Sequence, residues 1–159
     1  MQIENITYSK QALHMFHSEI ETYGVVETGG VMLGYVNGKI VHVEKVSNGG
    51  LKAFHEYLYF RADNNYIEMF IDIEVANSGG KLRYLGEWHT HPQIKPEPSE
   101  IDLNSLYEIA EASNDFCLLL IIGAVDFEIG SFLKQSISII NHKMEKKFYV
   151  LPSNVNKCC

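Results

Sequence analysis

Cysteine is scarce: in 159 residues the only thiols are Cys117, Cys158 and Cys159. No C-x-x-C pair occurs, which leaves out a zinc ribbon, a thioredoxin-like redox site and the paired-cysteine ligands of a zinc deaminase. Positive charge is scarce too. Thirteen Lys and Arg stand against 20 Asp and Glu, a net charge of -7, whereas a nucleic-acid partner needs a basic surface. There is no long apolar run. The longest, Phe116 to Val125, is too short to cross a bilayer as a helix, and it reads as a strand buried on both faces. Met1 to Lys10 is mostly polar and lacks the apolar stretch of a secretory signal, so a cytoplasmic location is expected. Cys158-Cys159 matches a eukaryotic lipidation signal, but nothing else in the chain suggests a membrane anchor. No repeat, low-complexity stretch or dividing linker is present, and the length fits one domain.

What is present is concentrated in one stretch. Gly86-Glu87-Trp88-His89-Thr90-His91-Pro92 is followed, after seven residues from His91, by Ser99-Glu100-Ile101-Asp102. Residues two apart on a strand point to one face, so His89 and His91 converge if Leu82 to His89 is a strand. Pro92 then ends the ladder, because it has no N–H to donate. Ser99 stands at the start of a helix with Leu103, Leu106, Tyr107 and Ala110 as its apolar stripe. Asp102 falls in the first turn, facing back toward the loop. Two imidazoles and a carboxylate in this spacing can hold one zinc ion, and three protein ligands without a fourth leave a position open for hydrolytic chemistry. Ser-x-x-Asp before an apolar helix is also an N-terminal capping arrangement, and one hydroxyl can serve both ends.

Elsewhere the periodicities predict a helix from about Ser9 to Tyr23 and a hairpin of Val31 to Tyr35 with Lys39 to Val46 around Asn37-Gly38. A short strand is expected over Glu56 to Arg61. A second helix capped by Asp63 carries Tyr66, Ile67, Phe70 and Ile71, and Gly79 and Gly80 end it. Further strands are expected around Ser136 to Asn141 and Lys147 to Leu151, while Glu128 to Gln135 has no clear pattern. This mixture gives an α/β or α+β sandwich, a mixed sheet flanked by helices.

Zinc hydrolysis also needs a base that takes a proton from water and returns it to the leaving amine. On the residues alone there are two candidates. Glu87 shares the strand face of His89. Glu27 begins Glu27-Thr28-Gly29-Gly30, where the glycines let the backbone approach a neighbour closely. The other histidines, His14, His17, His42, His55 and His142, read as structural or surface residues.

Glu27-Thr28-Gly29-Gly30 with a following Gly34, then His89-Thr90-His91-Pro92 and Ser99-x-x-Asp102, resemble the JAB/JAMM (MPN+) metallopeptidases in order and in the seven-residue gap. The resemblance covers most of the chain, with 1–152 as the catalytic domain and 153–159 a polar tail outside it. It implies a cytidine-deaminase-like sandwich, one zinc on His89, His91 and Asp102, Glu27 as general acid/base, and Ser99 as hydrogen-bond donor to the oxyanion. Glu87 matches no catalytic position of the motif. The implied reaction is cleavage of an isopeptide or peptide bond after the extended C-terminal tail of a ubiquitin-like or similarly conjugated protein. Leu85 to Pro92 looks most like the small stand-alone bacterial members, some of which accompany ubiquitin-like conjugation enzymes in antiviral defence operons. Two other roles exist among such proteins: releasing an amino acid from a sulfur-carrier protein, and acting as a scaffold without the metal motif. The intact Glu27, His89, His91, Ser99 and Asp102 speak against the scaffold.

Overall fold

The structure, a computed structural model, describes residues 3–92, 96–124, 135–140 and 146–150, the last two stretches by backbone alone. Nine strands and three helices are described. In chain order they are β1 (Asn5–Tyr8), α1 (Lys10–Tyr23), β2 (Gly29–Asn37), β3 (Ile40–Val46), β4 (Phe54–Glu56), β5 (Tyr59–Arg61), α2 (Asn64–Asn77), β6 (Arg83–His91), α3 (Glu100–Ser113), β7 (Cys117–Gly123), β8 (Gln135–Ile140) and β9 (Lys146–Val150). Seven strands form one mixed sheet in the order β1-β3-β2-β6-β7-β8-β9. Two pairings, β1 with β3 and β6 with β7, are parallel. The expected mixed sheet flanked by helices is therefore what forms.

The alternation of β7 separates the two faces. Leu118, Leu120 and Ile122 pack with Ala12, Phe16 and Ile20 of α1, while Cys117, Leu119 and Ile121 pack with Leu106 and Ala110 of α3. All seven residues of β7 are buried, as expected for a central strand covered on both sides. On the α1 face Trp88 meets Phe16 edge-on at 4.8 Å between ring centroids, and its indole N–H donates to the Ser47 carbonyl oxygen at 2.9 Å. That bond satisfies the one polar atom of an otherwise apolar contact.

Two expectations are corrected. Glu56 to Arg61 is not one strand: Phe54–Glu56 and Tyr59–Arg61 pair antiparallel in a separate two-stranded sheet, because Tyr57-Leu58 turns the chain. The strand expected over Leu82 to His89 runs instead from Arg83 to His91. The second helix forms as expected, capped by Asp63 and carrying Tyr66, Ile67, Phe70 and Ile71, none of them fully buried. The boundary at residue 152, the segment around Glu128, and Cys158 and Cys159 lie outside the described residues.

Strand β6 also carries an irregularity that strand periodicity does not announce. Its register with β2 shifts around Met32 and Leu33, so Tyr84 pairs with Leu33 and Gly86 with Met32. Tyr84 packs toward α3, yet Leu85 and Trp88 both pack toward α1. One extra residue therefore changes the phase of the strand. Gly86 sits there with φ 148°, and a Cβ on it would collide with the Leu118 carbonyl oxygen. Past this point the phase puts Trp88 and Thr90 on the α1 face and His89 and His91 on the other.

Candidate metal centre

Each end of the site is built by a local rule. The two histidines close β6, and Pro92 follows in a bend. Ser99 caps α3 in extended conformation and forms a full capping box with Asp102: Asp102 N–H donates to Ser99 Oγ at 3.1 Å, and Ser99 N–H donates to Asp102 Oδ2 at 2.7 Å. Such a cap is worth about 1 kcal/mol and fixes the Asp102 rotamer. With one oxygen held by Ser99, the carboxylate turns its face to β6.

There the three side chains meet. His89 Nε2 lies 3.0 Å from His91 Nε2. Asp102 Oδ1 is 3.3 Å from His89 Nε2, and Asp102 Oδ2 is 3.4 Å from His91 Nε2. Among the described residues this is the group able to hold a metal ion. Tetrahedral ligands with bonds of about 2.0–2.1 Å stand roughly 3.3 Å apart; each imidazole nitrogen meets a different Asp102 oxygen at about that separation, and one donor atom from each residue falls within 4.8 Å of the others. Two nitrogen donors and one carboxylate suit zinc and leave a tetrahedral position free.

Glu27 reaches the same point from the neighbouring strand. Only 7% of it is exposed, and its Oε1 lies 3.9 Å from His91 Nε2. Gly29, two residues on, pairs with His89, and a Cβ there would strike the Trp88 carbonyl oxygen. The glycines after Glu27 thus let β2 press against the histidine strand, as the sequence suggested. Behind Glu27 its backbone N–H donates to the Glu56 carbonyl oxygen at 2.9 Å, and its carbonyl oxygen stands 3.1 Å from His55 Nδ1. His55, read from the sequence as structural, stacks on Tyr23 at 3.9 Å and braces this loop; no local motif marks it.

Electrostatics divides the two carboxylates. Burial pushes the Glu27 carboxyl above the ordinary glutamate value; the nearby imidazoles pull it down and Asp102 pushes it up. Burial would also raise Asp102, but hydrogen bonds with His89 and His91, the charge of His89, and the Ser99 backbone bond outweigh it and hold Asp102 well below the usual carboxylate range. One carboxylate stays ionised and able to coordinate, while the other is biased toward holding a proton. Glu87 is half-buried and its carboxyl is raised by burial, with His89 opposing. It is not part of the group able to hold a metal ion.

The arrangement brings together His89, His91 and Asp102, with Ser99 bonded to Asp102 and Glu27 alongside, and leaves out Glu87, the other acid singled out in the sequence. The polar wall behind it, Thr28 and Thr90, was not singled out, although one lies directly after Glu27 and the other between the histidines.

Known proteins resemble this chain in sequence and in fold. The family model of prokaryotic homologs of the JAB domain matches residues 9–136. A protein of Escherichia coli (strain TW11681) named CD-NTase/cGAS isopeptidase is 29% identical over 122 residues, which cover 77% of this chain and 78% of that protein. The probable metalloprotease y4qB of Sinorhizobium fredii (strain NBRC 101917 / NGR234) is 34% identical over 86 residues, 53% of this chain and 52% of its own. The solution structure of a protein from Desulfitobacterium hafniense superposes with a TM-score of 0.63 at 19% identity, covering 95% of each chain, which is a likeness of fold. The match over residues 9–136 contains the whole site, from Glu27 to Asp102, and the chain belongs to the prokaryotic homologues of the JAB domain.

Proposed function

We propose that the protein is a zinc-dependent isopeptidase or peptidase. It cuts the amide bond after the extended C-terminal tail of a ubiquitin-like or similarly conjugated protein, in the cytoplasm and in bacterial antiviral defence. The observation that carries this reading is the set of separations of 3.0, 3.3 and 3.4 Å among His89, His91 and Asp102, with the buried Glu27 carboxylate 3.9 Å from His91. Relatives named CD-NTase/cGAS isopeptidase and probable metalloprotease support the amide substrate and the metal.

In this reading His89, His91 and Asp102 hold the ion. Zinc supplies Lewis-acid polarisation of the scissile carbonyl and lowers the pKa of water. Glu27 takes the proton from the attacking water and hands it to the departing amine, a task that suits a carboxyl raised by burial. Ser99 Oγ lies 2.8 Å from Asp102 Oδ2; a turn of this exposed hydroxyl lets it donate to the developing oxyanion, where such a donor acts only as charge appears. Glu87 takes no part in proton transfer. The catalytic unit spans residues 1–152, with 153–159 as a tail.

The test is incubation with fusions of ubiquitin-like domains whose tails end in Gly-Gly, scored by mass spectrometry for the cut position. Cleavage after the last glycine, stopped by a zinc chelator, is expected. Cleavage indifferent to the chelator, or none across the ubiquitin-like series, overturns the reading.

A further inference from the structure

Helix α1 buries Ala12, Phe16 and Ile20, and among them a carboxylate, Glu19, only 8% exposed. Stability does not call for an acid there. A buried charge costs several kcal/mol to desolvate, and an apolar side chain of similar size commonly does as well or better. What Glu19 does hold is Thr28: the Thr28 hydroxyl donates to Glu19 Oε2 at 2.7 Å, and Thr28 is fully buried. Thr28 in turn is bound on its backbone to Thr90. Its N–H donates to Thr90 Oγ1 at 3.1 Å, and the Thr90 N–H donates to the Thr28 carbonyl oxygen at 2.8 Å. Thr28 follows Glu27, and Thr90 sits between His89 and His91. One chain of hydrogen bonds thus runs from the helix to the joint between the acid's loop and the strand of the two histidines.

The geometry points to Glu19 as a positioning residue of the metal centre: acting through Thr28 and Thr90, it sets the spacing between Glu27 and the His89–His91 pair from the opposite face of the sheet. This role rests on the proposed hydrolase reading, but its structural consequence does not. Glu19 touches neither substrate nor metal. Its work is to hold Thr28 so that β2 and β6 stay in register just where the side chains of Glu27, His89 and His91 must converge. Displacements of about 1 Å at such a site cost up to about 10²-fold in rate, and residues that orient metal ligands typically contribute 10- to 100-fold in affinity, roughly. An acceptor oxygen is what the hydroxyl needs, so an amide oxygen in place of the carboxylate oxygen suffices.

Three variants test this. Glu19→Gln keeps the acceptor, Glu19→Leu removes it, and Thr28→Val removes the donor with almost no change of shape, covering the case in which Glu19→Leu does not fold. The first readout is hydrogen exchange of the Thr90 amide in metal-free protein, measured against Leu120 of β7. Exchange at Thr90 alone should quicken about tenfold in Glu19→Leu and Thr28→Val and stay near wild type in Glu19→Gln. The second is zinc affinity by chelator competition, expected to fall about tenfold in the same two variants. The third is turnover of an aminocoumarin amide of a Gly-Gly-ended peptide, with kcat down about tenfold and KM unchanged. Wild-type exchange and affinity in both Glu19→Leu and Thr28→Val overturn the role, as does a loss in Glu19→Gln equal to that in Glu19→Leu. If the wild type cleaves no such amide, the hydrolase reading is at fault, and exchange and affinity still decide the position of Glu19.

Discussion

At the scale of single residues, two glutamates and a serine separate the chemistry from its scaffold. Glu27→Gln keeps size and hydrogen bonding but accepts no proton, so turnover should fall about 10²–10⁴-fold with zinc content and unfolding midpoint near wild type. Glu87→Gln, measured beside it at matched zinc loading, should stay within a few-fold; a dead Glu87→Gln with an active Glu27→Gln would reverse the assignment. Ser99→Ala loses both a helix cap and a donor. It should lower stability by about 1 kcal/mol in denaturant unfolding and lower kcat by more than that loss explains, whereas loss of stability alone would leave Ser99 as a cap. The histidine pair was legible because a strand's period of two is strict, and Asp102 because a capping box has fixed spacing. Glu27 was not legible by itself: two acids met the chemical requirement, and resemblance decided between them. Thr28 and Glu19 stayed hidden because a buried polar contact between a helix and a loop leaves no periodic trace.

At the scale of elements, β6 is where pattern reading and structure part. A strand read as simple alternation puts Tyr84, Gly86, Trp88 and Thr90 on one face. Instead Tyr84 faces α3 and Trp88 faces α1, because Gly86 absorbs an extra residue in a backbone conformation that side chains rarely adopt. The histidines still emerge together, since both lie beyond the irregularity. Gly86→Ala combines an unfavourable φ with a collision against Leu118, so it should cost at least about 2 kcal/mol in chemical denaturation. Zinc affinity should drop with it, because the phase that presents His89 and His91 depends on this residue. A variant with wild-type midpoint and affinity would mean that β6 keeps its phase without the glycine. The hairpin of Phe54–Glu56 and Tyr59–Arg61 was read as one strand for a related reason: Tyr57-Leu58 turns the chain without any of the usual turn residues.

At the scale of the whole molecule, the candidate ligands come from two layers, His89 and His91 from the sheet and Asp102 from the first turn of α3. An ion held by all three would tie that helix to the sheet, and a ligand that binds only the folded state stabilises it by about 2.7 kcal/mol at a hundred times its Kd. Zinc should therefore raise the thermal midpoint by several degrees, and His89→Ala should abolish the rise; an equal rise in the variant would put the ion elsewhere. The most direct measurement is metal content by elemental mass spectrometry of the wild type, Glu27→Gln and His89→Ala, purified side by side. About one zinc per chain in the first two and none in His89→Ala is expected from a three-ligand site. Equal zinc in His89→Ala and the wild type would contradict the metal centre built from His89, His91 and Asp102.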